Sequence, residues 1–104
     1  MSESNVENNL KEMVHLFEAD GWDGWATFFR DALSLYKSGK LAECGRHILG
    51  GSGGMGSLND VVLGQATDNS GKLTWKPNYK ESNERYNKLL DALYNFAHQT
   101  KRIK

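Results

Sequence analysis

The stretch WDGWATFFRDALSLY, residues 22–36, carries the strongest folding signal in the chain. Its apolar side chains recur every three or four residues, which is the spacing of one face of an α-helix. They are Trp22, Trp25, Ala26, Phe29, Ala32, Leu33 and Tyr36. Because each large aromatic ring can bury about 150–250 Å², we predict a helix here whose aromatic side chains organise the core of a small domain.

Three other stretches repeat this spacing and predict three more helices. Their apolar positions are Val6, Leu10, Met13 and Phe17; then Leu41, Cys44 and Ile48; and finally Tyr86, Leu89, Leu90, Leu93, Phe96 and Ala97. The last of these helices is expected from about residue 82 to residue 99. Ser4–Glu7 has the Ser-x-x-Glu form of a capping box at the first helix, and Gly21 and Gly39 are suited to close the first two helices.

A glycine-rich segment follows the third predicted helix. Residues 50–56 contain five glycines in seven positions, a backbone that no regular helix or strand tolerates. We interpret it as a tight corner where a Cβ atom would clash with a packed neighbour, with Met55 and Leu58 as anchors in the core. Gly45, like Ala42, is small enough to let another element approach the third helix closely.

The connection that leads to the last helix is harder to assign from the sequence. A short helix from Leu58 to Leu63 competes with a strand through residues 61–63. Asp68-Asn69-Ser70-Gly71 has strong turn chemistry, so Leu73-Thr74-Trp75 could belong to a minor β pair.

Together these elements predict a mainly α fold, an irregular bundle of four to five helices that forms one domain over residues 1–104. The length suits one core, and no apolar run approaches the roughly 20 residues that span a bilayer. The start of the chain lacks the basic and apolar parts of a secretory signal, and Cys44 is the only cysteine, so no internal disulfide can form. We expect a cytoplasmic protein.

The charges balance in total but not along the chain. Thirteen basic and thirteen acidic residues cancel, which argues against a dedicated nucleic-acid binder. Residues 1–31 carry a net charge of −5, however, and residues 72–104 carry +5. Either the two ends lie together and neutralise each other, or the acidic part docks onto a cationic partner.

The glycine segment matches two ligand-binding patterns only in part. Gly51, Gly53 and Gly56 have the spacing of a dinucleotide-binding turn, but that turn follows a strand, and a helix is predicted here. The same span resembles a phosphate-binding loop, yet Ser57-Leu58 stands where that loop has Lys and then Ser or Thr. What remains open is a nest of backbone N–H groups for an anion near Ser57.

The cysteine and the histidines do not form a recognisable site. Cys44 and His47 lie three residues apart on one helical face, so they could act as two zinc ligands or as nucleophile and base. His15 and His98 are distant in sequence, and no further ligand motif accompanies them. The alternative is a buried cysteine and a surface histidine. We predict no catalytic residue, no metal and no cofactor.

Two motifs carry a resemblance to a known family. GWDGWA at residues 21–26 and GGMGSLND at residues 53–60, with the last predicted helix, resemble a family of small bacterial proteins of unassigned function. In kind, rather than in motif, the chain looks like the immunity proteins of contact-dependent growth inhibition and other bacterial toxin systems. This resemblance implies a small protein that blocks a toxic nuclease.

We therefore predict an immunity protein that binds one cognate toxin domain, without membrane or direct nucleic-acid contact. Acids can occupy the phosphate subsites of a cationic nuclease cleft, and the candidates are Glu7, Glu12, Glu18, Asp20 and Asp23. The glycine-rich motif is given a structural role, through Gly53, Gly54, Met55, Gly56, Ser57, Asn59 and Asp60. The alternatives are a small-molecule or phosphate-binding module at residues 50–60 and a non-catalytic adaptor.

Overall fold

Four helices and one β-hairpin make up the fold. The computed structural model describes residues 5–51, 58 and 61–101. The helices are α1 (Val6–Ala19), α2 (Asp23–Lys37), α3 (Leu41–Leu49) and α4 (Tyr79–Thr100), and the strands are β1 (Gln65–Thr67) and β2 (Leu73–Trp75). The prediction of a mainly α bundle with a minor β pair is confirmed. Among the described residues, no helix has both the length and the apolar character that crossing a bilayer requires.

The helices enclose one core. Helix α1 packs on α2 and α4, and α3 packs on the same two helices. The largest fully buried side chains come from all four helices and from the segment before the hairpin: Tyr86, Phe17, Phe29, Leu10, Met13, Ile48, Leu58, Leu63 and Leu93. Phe17 lies within 5.8 Å of Phe29 and within 5.5 Å of Tyr86, measured between ring centroids. Phe17, Phe29 and Tyr86 therefore form the aromatic centre, and Trp22 and Trp25 are half-buried at its edge.

Both glycines predicted to end helices do so. Gly21 and Gly39 have φ angles of 81° and 79°, in the left-handed region that glycine adopts without strain. After Gly21, the Trp22 N–H donates to the Phe17 carbonyl at 2.8 Å, and after Gly39 the Lys40 N–H donates to Leu35 at 3.0 Å. In both turns the N–H group donates to the carbonyl five residues earlier, which is the hydrogen bond of the Schellman motif.

Two predicted boundaries of the helices differ from the structure. Helix α1 begins at Val6 after Asn5, one residue later than a capping box on Ser4 requires, and Ser4 lies outside the described residues. Helix α4 begins at Tyr79, about three residues earlier than predicted, because the apolar positions that mark its face start only at Tyr86.

Residues 61–63 form neither the helix nor the strand that the sequence suggested, although Leu58, where the helix was expected to begin, has a 3₁₀ conformation. Val61 and Leu63 are buried and Val62 is exposed. The Val61 N–H donates to the Leu58 carbonyl at 3.4 Å. At Leu63, Asn83 takes the place of a strand neighbour: its side-chain amide accepts from the Leu63 N–H at 2.8 Å and donates to the Leu63 carbonyl at 2.9 Å. Asn59 and Asp60 lie outside the described residues.

The hairpin follows the predicted turn. Strands β1 and β2 are antiparallel, with Gln65 opposite Trp75 and Thr67 opposite Leu73. The Asp68 carboxylate accepts hydrogen bonds from the Ser70 hydroxyl at 2.6 Å and from the Ser70 and Lys72 N–H groups at 2.9 Å. These hydrogen bonds hold the pKa of Asp68 below its ordinary value, and the bond from the Ser70 hydroxyl has the largest effect. The minor β pair predicted at residues 73–75 is confirmed.

Candidate functional site

The five acids predicted to bind a partner lie along α1 and at the turn into α2. Four of them pair with cations of the same chain. Glu7 pairs with Lys11 at 2.9 Å, Glu12 with Arg85, Glu18 with Arg30, and Asp20 with Lys76 at 2.9 Å. Asp23 is exposed and has no ion pair within the described part of the chain. The acids thus pair with cations of different elements, and within the described residues only Asp23 is left without a partner cation.

Two of these pairs join the acidic beginning of the chain to its basic end. The Arg85 Nε donates to Glu12 Oε2 at 2.8 Å, and a second, shorter bond makes the pair bidentate. Hydrogen bonding by Arg85 lowers the pKa of Glu12, and the same pairing raises the pKa of Arg85. These contacts support the interpretation that the opposite charges of the two ends partly neutralise each other.

Asp20 connects three elements of the structure. Its side chain is only 11% exposed and accepts hydrogen bonds from Trp22 Nε1 at 2.6 Å, from the Gly64 N–H at 3.1 Å and from Lys76 Nζ at 2.9 Å. Burial by itself would raise the pKa of Asp20, but these donors outweigh it, so the pKa lies below its ordinary value. Asp20 therefore holds the indole of Trp22 and the base of the hairpin in place.

Next to Asp20 an open cavity of about 350 Å³ is lined by Trp22, Gly24, Trp25 and Phe28. We call these four residues the aromatic corner. The ring of Phe28 packs against Trp25, with centroids 5.2 Å apart, and stacks on His47 at 4.2 Å. Trp25 in turn stacks on the core ring of Phe17 at 6.2 Å. The walls of the cavity are thus fixed to the core on one side and open on the other.

This cavity was not predicted from the sequence. The spacing of Trp22 and Trp25 matches the buried face of α2 and predicted both side chains in the interior. A signal was present in Gly24, which stands between the two tryptophans and, without a side chain, leaves space where other residues would fill it. Helical spacing alone does not separate a buried aromatic ring from one that lines a surface cavity.

Cys44 and His47 face different partners rather than one site. Cys44 is fully buried and its thiol donates to the Ala32 carbonyl at 3.3 Å. Burial raises the pKa of that thiol to about 11, which keeps it protonated at neutral pH and unsuited to nucleophilic attack. His47 is half-buried rather than on the surface, and its Nε2 donates to the Phe28 carbonyl at 2.8 Å. No cluster of three or more His, Cys, Asp or Glu side chains that could hold a metal occurs among the described residues.

The glycine-rich motif itself falls outside the described residues, from Gly53 to Ser57 and again at Asn59 and Asp60, but its flanks are in place. The Leu58 N–H donates to the Gly51 carbonyl at 2.8 Å, so the two ends of the segment meet. A Cβ at Gly51 would lie 2.7 Å from Leu58 Cδ1 and 3.0 Å from Phe28 Cζ. The predicted close approach is confirmed at Gly51, and Leu58 is the buried anchor that the sequence predicted.

Comparison with known proteins adds a family assignment. A family model described as a domain of unknown function (DUF6966) matches residues 18–71. That range contains the aromatic corner, the glycine-rich segment and, of the five predicted acids, Glu18, Asp20 and Asp23. Searches of curated proteins and of solved structures found no match to the chain. Because the family model covers more than half of the sequence, the chain belongs to the DUF6966 family.

Proposed function

We propose that this chain is an immunity protein that binds one cognate bacterial toxin domain, a nuclease, and covers its active site without itself catalysing a reaction. The observation that carries the proposal is the aromatic corner, an open cavity with two tryptophans on its wall and the exposed carboxylate of Asp23 between them in sequence. The protein would act in the cytoplasm, where a toxic nuclease meets its substrate.

The composition of the corner suits the centre of a protein interface. Tryptophan is over-represented among the residues that dominate binding energy, and such residues sit in pockets near the middle of an interface. The rings of Trp25 and Phe28 are already ordered by Phe17 and His47, so a partner would not have to immobilise them. Binding to preordered side chains costs less conformational entropy.

The acids contribute in two ways to this proposal. Asp23 is the residue we expect to contact a cation of the toxin directly, because no cation of the described chain neutralises it. Glu7, Glu12 and Glu18 lie in exposed pairs with cations of the same chain, which partly cancel their field. They would therefore contribute less than Asp23 to long-range attraction, which changes the association rate more than the affinity. Asp20 would act through Trp22, whose indole it holds.

Growth protection tests the proposal and its site together. The toxin domain encoded beside the gene for this chain would be expressed with the wild-type chain or with a variant, and survival would be measured. We expect Trp25→Ala and Asp23→Lys to lose protection. The matched control is Asp31→Lys, which makes the same change of charge at another exposed acid of α2 and should still protect.

The outcomes separate the function from the site. No protection by the wild-type chain would contradict the immunity function. Full protection by Asp23→Lys and Trp25→Ala would show that the aromatic corner does not bind the toxin, and Glu7, Glu12 and Glu18 would remain as candidates. Each variant must first give the wild-type circular dichroism spectrum, so that a loss of protection cannot result from unfolding of the variant.

A small-molecule site is the second candidate, and the cavity volume favours it. About 350 Å³ lies within the range of ligand pockets, which are mostly lined by apolar and aromatic side chains. A thermal-shift screen with nucleotides and phosphate tests it, since a ligand at about 100 times its dissociation constant adds about 2.7 kcal/mol of stability. A ligand that stabilises the wild type but not Trp25→Ala would support this candidate.

A further inference from the structure

The β-hairpin presents two large apolar side chains on one open face. Leu73 is 56% exposed and Trp75 is 45% exposed. They are two residues apart on β2, and side chains with this spacing point to the same side of a strand. Their cross-strand partners Thr67 and Gln65 are also exposed. Exposed apolar side chains gathered on one face, as here, mark binding surfaces in soluble proteins.

The aromatic rings of this face form a short platform. The centroids of Trp75 and Tyr79 are 4.6 Å apart, and their planes meet at 31°. Lys80 Nζ lies 5.9 Å from the centroid of the Tyr79 ring. Since Trp75 keeps almost half of its surface in solvent, part of its ring is free to stack with another planar group. Nucleic-acid bases are such groups, and they stack on aromatic side chains without strong sequence preference.

Three lysines accompany this platform. Residues 61–80 contain Lys72, Lys76 and Lys80 and one acid, Asp68. Lys76 pairs with Asp20, while Lys72 and Lys80 have no ion pair within the described residues. In sequence, Asp60 and Glu81 flank this stretch, and Asp20 contacts it through Lys76. The neutral total, which led us to expect no direct nucleic-acid contact, does not reveal that Lys72 and Lys80 accompany partly exposed aromatic rings.

We propose that the hairpin face binds single-stranded nucleic acid, with Trp75 stacking on a base and Lys72 and Lys80 contacting phosphates. Single-strand binders combine aromatic platforms with cations in this way. The presence of lysines beside the aromatic rings distinguishes the hairpin from the aromatic corner, where the acids Asp20 and Asp23 accompany the rings. The proposal is independent of the toxin-binding function and uses a different surface.

Fluorescence anisotropy with labelled oligo(dT) of about 15 nucleotides tests it on the full chain. Binding is expected at about 50 mM salt, and log K should fall with log salt with a slope of about −1.4, the value for two phosphate contacts to a single strand. Trp75→Ala should weaken binding about tenfold, and Trp75→Phe, which keeps a stacking ring, should weaken it less.

A matched pair of charge reversals locates the site. Lys72→Glu with Lys80→Glu should abolish binding. Lys37→Glu with Lys40→Glu makes the same change of net charge at the far end of α2 and should change affinity less than about twofold. Each variant is checked by circular dichroism, and all five positions are exposed, so substitution there leaves the core intact.

Three results would overturn the proposal. The first is no change in anisotropy at low salt. The second is an equal loss of binding in the two double reversals, which would mean non-specific attraction. The third is displacement of the labelled oligonucleotide by poly-L-glutamate as efficiently as by unlabelled oligo(dT) at equal charge, which would identify a surface for acidic proteins instead.

Discussion

Replacing Asp20 by alanine should cost the protein about 2–5 kcal/mol of unfolding free energy. The carboxylate accepts from three donors, at 2.6 Å from Trp22 Nε1, 3.1 Å from the Gly64 N–H and 2.9 Å from Lys76 Nζ. Lys76 is 44% exposed and can return to water, so its contribution is about 0–1 kcal/mol. The Gly64 N–H is buried, and a buried donor left without an acceptor costs about 1–3 kcal/mol. The indole of Trp22 is half-buried and can reach water, so its hydrogen bond contributes about 1 kcal/mol.

Urea unfolding followed by tryptophan fluorescence and circular dichroism measures this loss. For a chain of about 100 residues, 1 kcal/mol lowers Tm by about 4–8 °C, so the Tm should fall by roughly 8–40 °C. Glu7→Gln is the control, because it removes an exposed pair between residues four apart on one helix and should cost at most about 0.5 kcal/mol. The reasoning is refuted if Asp20→Ala costs no more than this control.

The same residue makes a prediction about pH. The pKa of Asp20 is lower in the folded chain than its ordinary value, so the unfolded chain holds the proton more tightly. Its stabilisation is therefore present above the unfolded-state pKa, about 3.9, and is lost as the pH falls through the folded-state pKa. Asp20→Asn cannot titrate, and its stability should decline less steeply than that of the wild type below about pH 4.

Three further predictions concern the core. Gly45→Ala should cost about 1–3 kcal/mol, because a Cβ there would overlap the Thr100 hydroxyl; adding Thr100→Ala should recover part of the loss in urea unfolding. Cys44 should react with a thiol reagent at pH 8 only after unfolding, since it is buried with a pKa of about 11, and rapid labelling of the folded chain would contradict its burial. Tyr86→Phe should cost about 1–3 kcal/mol, because it removes the 2.7 Å hydrogen bond from the buried Tyr86 hydroxyl and leaves the Leu58 carbonyl without that donor; a loss below about 0.5 kcal/mol would contradict this.

The helices were predictable because their signals are local. A stripe such as Val6, Leu10, Met13 and Phe17 repeats with the period of the helix itself, and each of these residues is buried. Gly21 and Gly39 likewise act within their own turn. The hairpin turn at Asp68 was predictable for the same reason, since its hydrogen bonds reach only four residues along the chain.

What the sequence did not predict depends on residues far apart in the chain. The pairing of Glu12 with Arg85 and that of Asp20 with Lys76 span 73 and 56 positions. Neutralisation of the two ends was therefore one of two interpretations, and the sequence could not name the partner of each acid. Asn83 completes the hydrogen bonds of Leu63 from 20 positions away, and a local pattern cannot distinguish this arrangement from a strand.

The candidate site also combines features that were predictable from the sequence with features that were not. The residue types at the turn into α2, Trp22, Asp23 and Trp25, were singled out from the sequence. Their arrangement was not, since the cavity exists only because Phe17 and His47 hold Trp25 and Phe28 from the core side. Asp20 is predicted to lie at an interface, and its donors also give it the role of positioning Trp22.

The most direct test of the central claim is a titration of the purified toxin domain encoded beside this gene. Its cleavage of RNA or DNA would be measured while the chain is added in increasing amounts. The immunity function predicts that activity falls in proportion to added chain and vanishes at one chain per toxin, and that Asp23→Lys with Trp25→Ala fails to inhibit. Undiminished nuclease activity with an excess of folded wild-type chain would contradict the proposal.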